Sequence, residues 1–498
     1  MAQDTASATV ERFGYQQEFD RSLRRFTSFA IGFSFISITT GIFTTYGFVL
    51  VNSGPLGIWT WPLVIVGQTA VALVFGALAS RIPLAGYSYQ WMSRLANPHI
   101  GWLLGWFSFA FLIVDVVAVD YALASTVIPA LFSYTGTIAN TWLVTALIVA
   151  AQGALIMIST IWSERVNNAA VGTEIIGIGG LTLLIIIVGA VASKLTWGHL
   201  FSKAAVPAAG YYGFGGLTHD TPFILAFLLG AFTIVGFEAS GNLAEETNEP
   251  ERVVPRAMWT SVVLSGVLGM VFLIAISAAT WNLPALSTSS TPVADIVTHV
   301  LGSGVGKVFL AFVFFSIFAC GLVIFITVSR LTWAMSRDER FPGWHWLRQV
   351  SPTFRTPLLA TLVSGVLIEI VLAAFAHSSH ALTNLFSAAT LMPAIIYFVT
   401  VLLFIASRRR LPRERGFQLG RWEIPVIAVS VVWLVFELAI FRDKSFAAPW
   451  LYILIMVAIG LVYYVVMLAT GRSLGMPGSA TAPSDLPSES GTTPATGA

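Results

Sequence analysis

The chain has 498 residues, 56% of them hydrophobic and 10% charged, with a formal net charge of +2. Soluble domains carry about 25% charged residues, so this composition excludes a soluble protein. The net charge says little about partners, because its distribution matters more than its sum, and no nucleic-acid partner is expected. Aromatic residues make up 13% of the chain, with 16 tryptophans, as two membrane interfaces would require. The single cysteine, Cys320, excludes an internal disulfide. It lies in an apolar run, where a structural thiol is expected. The first 25 residues are polar and hold four arginines, so no cleavable leader is expected.

A bilayer core of about 30 Å needs about 20 mostly apolar residues per helix. On that rule the sequence predicts twelve spans, near 26–51, 57–80, 100–131, 139–161, 167–193, 222–245, 257–281, 307–336, 356–377, 382–407, 422–441 and 447–470. Spans one, three and eight are long enough to tilt or to be broken. With the N-terminus placed in the cytoplasm, 21 of the 26 lysines and arginines fall in inner tails and loops and 5 in outer ones. The asymmetry supports an even number of spans with both termini inside, and a cell-membrane location. The basic loop at 407–416 reads as a cytoplasmic anchor. The Pro/Ser/Thr/Gly-rich tail at 471–498 reads as disordered.

Two spans carry interruptions. In span one, Ser34, Ser37, Thr39, Thr40, Gly41, Thr44 and Thr45 cluster between Gly32 and Gly47. In span six, Gly230, Thr233, Gly236, Glu238, Ser240 and Gly241 do the same, and the segment leaves the apolar zone through Glu245 and Glu246. The two segments are five spans apart and run in opposite directions, which is the sequence sign of an inverted-repeat secondary transporter. Small residues also let helices approach closely. An acid within one interruption favours the broken-helix reading. Unwinding frees N–H groups for a carboxylate and C=O groups for an ammonium or a cation, and a zwitterionic amino acid needs both.

The predicted spans contain Asp115 and Asp120 (three), Glu174 (five), Glu238 (six), Glu369 (nine) and Glu437 (eleven), and no lysine or arginine deep in any of them. An ionisable group at mid-bilayer costs roughly 2.5–3.5 kcal/mol on insertion scales. These acids are therefore expected to be protonated or to meet a cation from outside. That points to amine or amino acid substrates coupled to H⁺ or Na⁺, and away from phosphates and dicarboxylates. Glu238, in the interruption, stands first. Glu174 and Asp120 read equally as proton sites and as structural hydrogen bonders. Asp115, five residues from Asp120, points to a different helix face. Glu369 and Glu437 read as bonding partners of neighbouring helices. No HExxH, GxSxG or Walker sequence supports an enzyme. No metal site or other cofactor is expected, and nothing marks an oligomeric interface.

Four stretches carry a resemblance: GALASRIPLAGYSYQWMSRLANPHIGWLLGW (76–106), GFEASGNLAEETNEPERVVPRAM (236–258), SRLTWAMSRDERFPGWHWLRQVSPTFRTP (329–357) and LFSAATLMPAIIYFVTV (385–401). Over about residues 20–470 the chain resembles the amino acid–polyamine–organocation transporter superfamily, most of all its amino acid/choline (GABA permease-like) branch. The resemblance implies an all-α membrane protein of twelve helices. It further implies a five-plus-five inverted repeat, 26–194 and 222–407, joined by an outer loop at 195–221 and followed by two helices at 408–470. Substrate would lie between the interruptions: Ser37, Ile38, Thr39, Thr40, Gly41 and Ile42 on one side, and Thr233, Gly236, Phe237, Glu238, Ala239 and Ser240 on the other. The first interruption has one glycine where the family has a pair. Glu174 stands where some proton-coupled relatives have a lysine. Glu245 and Glu246, with Arg252 and Arg256, resemble a cytoplasmic gate. The expectation is a secondary active importer of an amino acid or a related amine such as GABA, driven by protons, with Glu174, Glu238 and Asp120 as proton-coupling candidates. Choline, another organocation or a polyamine as substrate, and sodium coupling or exchange, stay open.

Overall fold

The computed structural model describes residues 11, 13–16, 23–132, 137–158, 160–354, 356–375, 381–411 and 416–470. The tail at 471–498 and part of the 407–416 loop lie outside the described residues. Among those described, the chain is helical, with no strand beyond an isolated bridge between Leu23 and Thr247. Eleven helices are long and apolar enough to cross a membrane, and a shorter apolar helix spans Pro222–Thr233.

The helices that frame the site are α1 (Arg25–Ile36), α2 (Ile38–Asn52), α3 (Trp61–Arg81), α4 (Tyr87–Leu95), α5 (Pro98–Ala122), α6 (Ile138–Ile158) and α7 (Thr160–Val191). They continue as α8 (Phe227–Thr233), α9 (Ala239–Asn242), α10 (Pro250–Ala278), α11 (Pro292–Arg337), α12 (Leu358–Phe375), α13 (Ala381–Ser407), α14 (Glu423–Ile440) and α15 (Ala447–Ala469). The first predicted span is α1 plus α2, broken at Ser37. The sixth is α8, an irregular stretch, the single turn α9 and a 3₁₀ turn at Ala244–Glu246. Span three carries a π turn at Leu123–Val127, which shifts the helical register before the last helical segment, Ile128–Phe132. Span eight is the later part of α11, because Gly302 at φ +80° interrupts that helix near its start.

The broken spans are enclosed by intact ones. α10 packs on α1 and α3, α11 on α7, α5 and α2, and α13 on α5. α15 faces outward, with Leu454, Val462 and Val465 each about 60% exposed or more. Apolar side chains on an outer face are what a hydrocarbon solvent requires. Irregular backbone is admissible at membrane depth only where protein covers it, and both breaks are covered: Ser37, Thr39, Phe237 and Glu238 are all buried.

Candidate functional site

The first break turns on Ser37, whose φ of +34° and ψ of 94° end α1 and start α2. A non-glycine residue in this region costs about 1–3 kcal/mol and persists only when its surroundings hold it. Here they do. Ser37 Oγ accepts from Thr40 N (3.3 Å) and Thr40 Oγ1 (2.7 Å), and Ser37 O accepts from Gly41 N (3.1 Å). Glu174 of α7 reaches the same helix start: its Oε1 accepts from Thr39 N (3.0 Å), Thr39 Oγ1 (2.9 Å) and Ser37 Oγ (3.4 Å). Ser316 Oγ of α11 lies 2.9 Å from Thr39 Oγ1. A helix N-terminus is a ready anion site, and at α2 a carboxylate of the chain itself sits in it.

The second break centres on Gly236 at φ +82°, the left-handed region. An added Cβ there would lie 1.7 Å from the Phe35 ring, so both the backbone and the packing require glycine. Gly236 N donates to Tyr397 OH of α13 at 3.0 Å, and Tyr397 OH donates to Glu238 Oε2 at 2.6 Å. Ser240 Oγ donates to Phe237 O (3.0 Å). The rings of Phe75, Phe237 and Tyr397 form an aromatic group with centroids 5.1–5.8 Å apart. The two breaks touch: a Cβ on Gly41 would stand 1.9 Å from Thr233 Oγ1. The structure thus brings Ser37–Ile42 and Thr233–Ser240 into one buried region.

The acids divide. Asp115 of α5 is close enough to Glu238 for their charges to interact. Cys320 of α11 lies within electrostatic reach of Asp115, Glu174 and Asp120, and its thiol donates to Phe35 O at the end of α1 (3.4 Å). Asp120 bonds to a different helix. Its Oδ1 accepts from Gln152 Nε2 of α6 (2.9 Å), and its Oδ2 is buried with no hydrogen-bond partner among the described residues. Glu437 accepts from Gln68 Nε2, with both contacts at 3.3 Å. Glu369 lies in a groove of α6 and α12 of about 470 Å³.

At the end of the bundle where α1 begins, Glu245 and Glu246 are buried and paired, with partners other than those the sequence suggests. Glu245 takes two bonds of 3.1 Å from Arg337, and Glu246 one of 2.8 Å from Arg330. Both arginines, assigned to an inner loop by sequence, lie inside α11 and are buried. Arg252 is instead exposed, 3.9 Å from Glu249. Its neighbourhood in sequence to Glu245 is misleading because α10 begins at Pro250 and carries it away from the bundle axis. Around the paired acids, Leu23 and Thr247 bridge, Asn242 joins Gly86 N (2.6 Å) to Thr327 O (2.8 Å), and Glu245 Oε1 accepts from Ala85 N (3.0 Å). Tyr15, whose phenol burial and the nearby Asp338 push up, donates to Asp338 at 2.9 Å, as does Tyr89 at 2.7 Å.

Sequence reading missed Tyr397, Ser316, Asn242, Arg330 and Arg337, and left Asp115 without a role. Tyr397, Asn242, Arg330 and Arg337 lie within quoted family-like stretches, so the signal was present, but nothing in it named their partners.

Among the described residues, eleven apolar helices and a shorter one, with buried breaks in spans one and six, define a multi-span membrane protein. The comparisons with known proteins narrow this. A family model described as amino acid permease matches residues 23–470, and the chain belongs to that family, within the amino acid–polyamine–organocation superfamily. Its relatives include the amino-acid permease BAT1 of Arabidopsis thaliana, 26% identical over 87% of each chain. The thiamine transporter thi9 of Schizosaccharomyces pombe is also 26% identical, over 88% of this chain and 80% of its own. Amino-acid permease 2 of Neurospora crassa is 24% identical over 88% and 82%.

Proposed function

We propose that the protein imports an amino acid or a related amine such as GABA across the cell membrane by proton symport. The arginine asymmetry supports a reading with both termini in the cytoplasm, in which the two five-helix halves act as inverted repeats that alternate access around the breaks. The observation that carries this reading is the bond from Thr39 N to Glu174 (3.0 Å). Glu174 fills the anion site that a substrate carboxylate would use. A proton on Glu174 removes its charge and weakens its hold on Thr39 N and the Ser37 and Thr39 hydroxyls, because bonds to an ionised acceptor are about twice as strong as neutral ones. Those donors then turn to the incoming carboxylate. Proton and substrate binding are thereby linked, and each raises the affinity for the other.

The amine end lies toward Glu238, Asp115 and the Phe75–Phe237–Tyr397 rings, which supply negative charge and π faces for a cation. Closure of the cytoplasmic side rests on Glu245–Arg337 and Glu246–Arg330. In liposomes loaded with the purified protein, an inward proton gradient should stimulate uptake of labelled amino acids or GABA. Stimulation by sodium alone would overturn the proton assignment.

A second reading is transport of an organic cation without a carboxylate. The same observation favours it if Glu174 stays ionised on the α2 terminus throughout, and a thiamine transporter is among the relatives. Thermal-shift screening against amino acids, GABA, polyamines, choline and thiamine separates the two, since a ligand that binds the folded state raises Tm.

A further inference from the structure

Arg252 and Arg256, left over once Arg330 and Arg337 account for the paired acids, line a different feature. With Arg25, Phe29, Glu249, Val253, Ala257 and Thr260 they form a cavity of about 450 Å³ where α1 and α10 begin. Three arginines face one carboxylate there. Glu249 lies 3.9 Å from Arg252, and among the described residues neither Arg25 nor Arg256 has a carboxylate partner. Among the described residues, the cavity therefore has two positive charges without a carboxylate partner. The start of α10 adds the positive end of a 29-residue helix.

The floor is apolar, of Phe29, Val253 and Ala257, and the neighbouring Phe26 is 52% exposed. The three arginines lie in the first two turns of helices Arg25–Asn52 and Pro250–Ala278, which are long and apolar enough to cross a membrane. A site with a basic rim, an apolar floor and a place at the membrane boundary matches a lipid headgroup better than a free anion. Guanidinium groups bind phosphate oxygens in pairs, and basic pockets between membrane helices take anionic headgroups.

We infer that the cavity binds the phosphate group of an anionic phospholipid, with its acyl chains running along Phe26 and Phe29. Because α1 ends at the first break and packs on α10, such a lipid ties the first half of span one to span seven.

The test is native mass spectrometry of the purified full chain with equal amounts of phosphatidylglycerol and phosphatidylcholine. The wild type should retain phosphatidylglycerol in preference by about tenfold or more, given the attraction each arginine near the surface adds. Arg25→Gln/Arg256→Gln should bring the ratio near one. Arg409→Gln/Arg410→Gln, which removes the same charge elsewhere, should leave it unchanged. Equal retention of the two lipids by the wild type overturns the inference without recourse to any variant, and so does a preference that the Arg25/Arg256 variant keeps. In a second arm, millimolar inorganic phosphate should leave the preference intact. Displacement of the lipid by phosphate would assign the cavity to a soluble anion instead.

Discussion

Tyr397 and Glu238, 159 residues apart in the chain, meet at 2.6 Å, and the same tyrosine hydroxyl accepts from the backbone N–H of Gly236 at 3.0 Å. One side chain from span ten thus bonds both the Gly236 N–H and the Glu238 carboxylate at the sixth-span break. Tyr397→Phe keeps the ring contacts with Phe75 and Phe237 and leaves the Gly236 N–H without its acceptor. The cost of a buried unsatisfied group is about 1–3 kcal/mol. We expect a lower Tm and uptake reduced about tenfold or more, measured in proteoliposomes with wild-type levels of inserted protein. Unchanged uptake would show that the bond has no part in transport.

Gly236→Ala and Gly41→Ala test the breaks themselves. The first meets the Phe35 ring at 1.7 Å at a left-handed φ, and the second meets Thr233 Oγ1 at 1.9 Å in a helix that any residue can adopt. Gly236→Ala should abolish transport and should not be rescued by trimming Phe35, since the backbone strain remains. Gly41→Ala should be partly rescued by Thr233→Gly, because its clash is with a side chain alone. Rescue of both, or of neither, would contradict this division.

Glu174→Gln separates coupling from binding. Glutamine keeps an oxygen for Thr39 N but cannot take up or release a proton. Substrate binding should lose its pH dependence, and the proton gradient should no longer drive accumulation, while exchange of labelled for unlabelled substrate continues. Gradient-driven accumulation at the wild-type level in this variant would remove Glu174 from the coupling mechanism.

Glu245 and Arg337 form a two-bond pair in which both side chains are buried. Removing one partner of a buried pair costs about 3–5 kcal/mol, because the other charge is left without compensation. Arg337→Met should therefore lower stability steeply, and Glu245→Gln/Arg337→Met should recover part of the loss. Guanidinium-denaturation midpoints in detergent, followed by tryptophan fluorescence, measure both. A double variant no more stable than the single one would mean that the pair is not the dominant contact.

Asp220, in the loop before span six, lies 2.7 Å from Arg442. Burial pushes its carboxyl up to about 6, against the attraction of Arg442. The ordinary aspartate value is about 3.9. Between these values the folded chain holds more protons at this site than the unfolded chain, so this group's contribution to stability falls as pH rises from about 4 to about 6. Asp220→Asn lacks that slope. Its Tm relative to wild type should climb across this window and level off above it. A relative Tm that falls with rising pH would reverse the sign of the burial effect.

The twelve spans were legible because crossing a bilayer is a local demand: about 20 apolar residues in a row, whatever lies beside them. The breaks were legible for the same reason, since glycines and an acid within such a run are costly unless used. Arg252 shows where this stops. It is near Glu245 in sequence, yet the partners are Arg337 and Arg330, 92 and 84 residues on.

The sequence by itself determined the number of spans, the positions of both breaks and the acids available to them. Tertiary structure alone decided that Glu174 caps the α2 terminus, that Tyr397 bridges Gly236 to Glu238, and that Asp115 lies within electrostatic reach of Glu238 while Asp120 bonds to Gln152. The reason is physical. In a membrane bundle nearly every helix is apolar on all sides, so periodicity no longer says which face meets which neighbour. Those choices come from close packing and a few interhelical hydrogen bonds, formed between residues 32 to 161 positions apart.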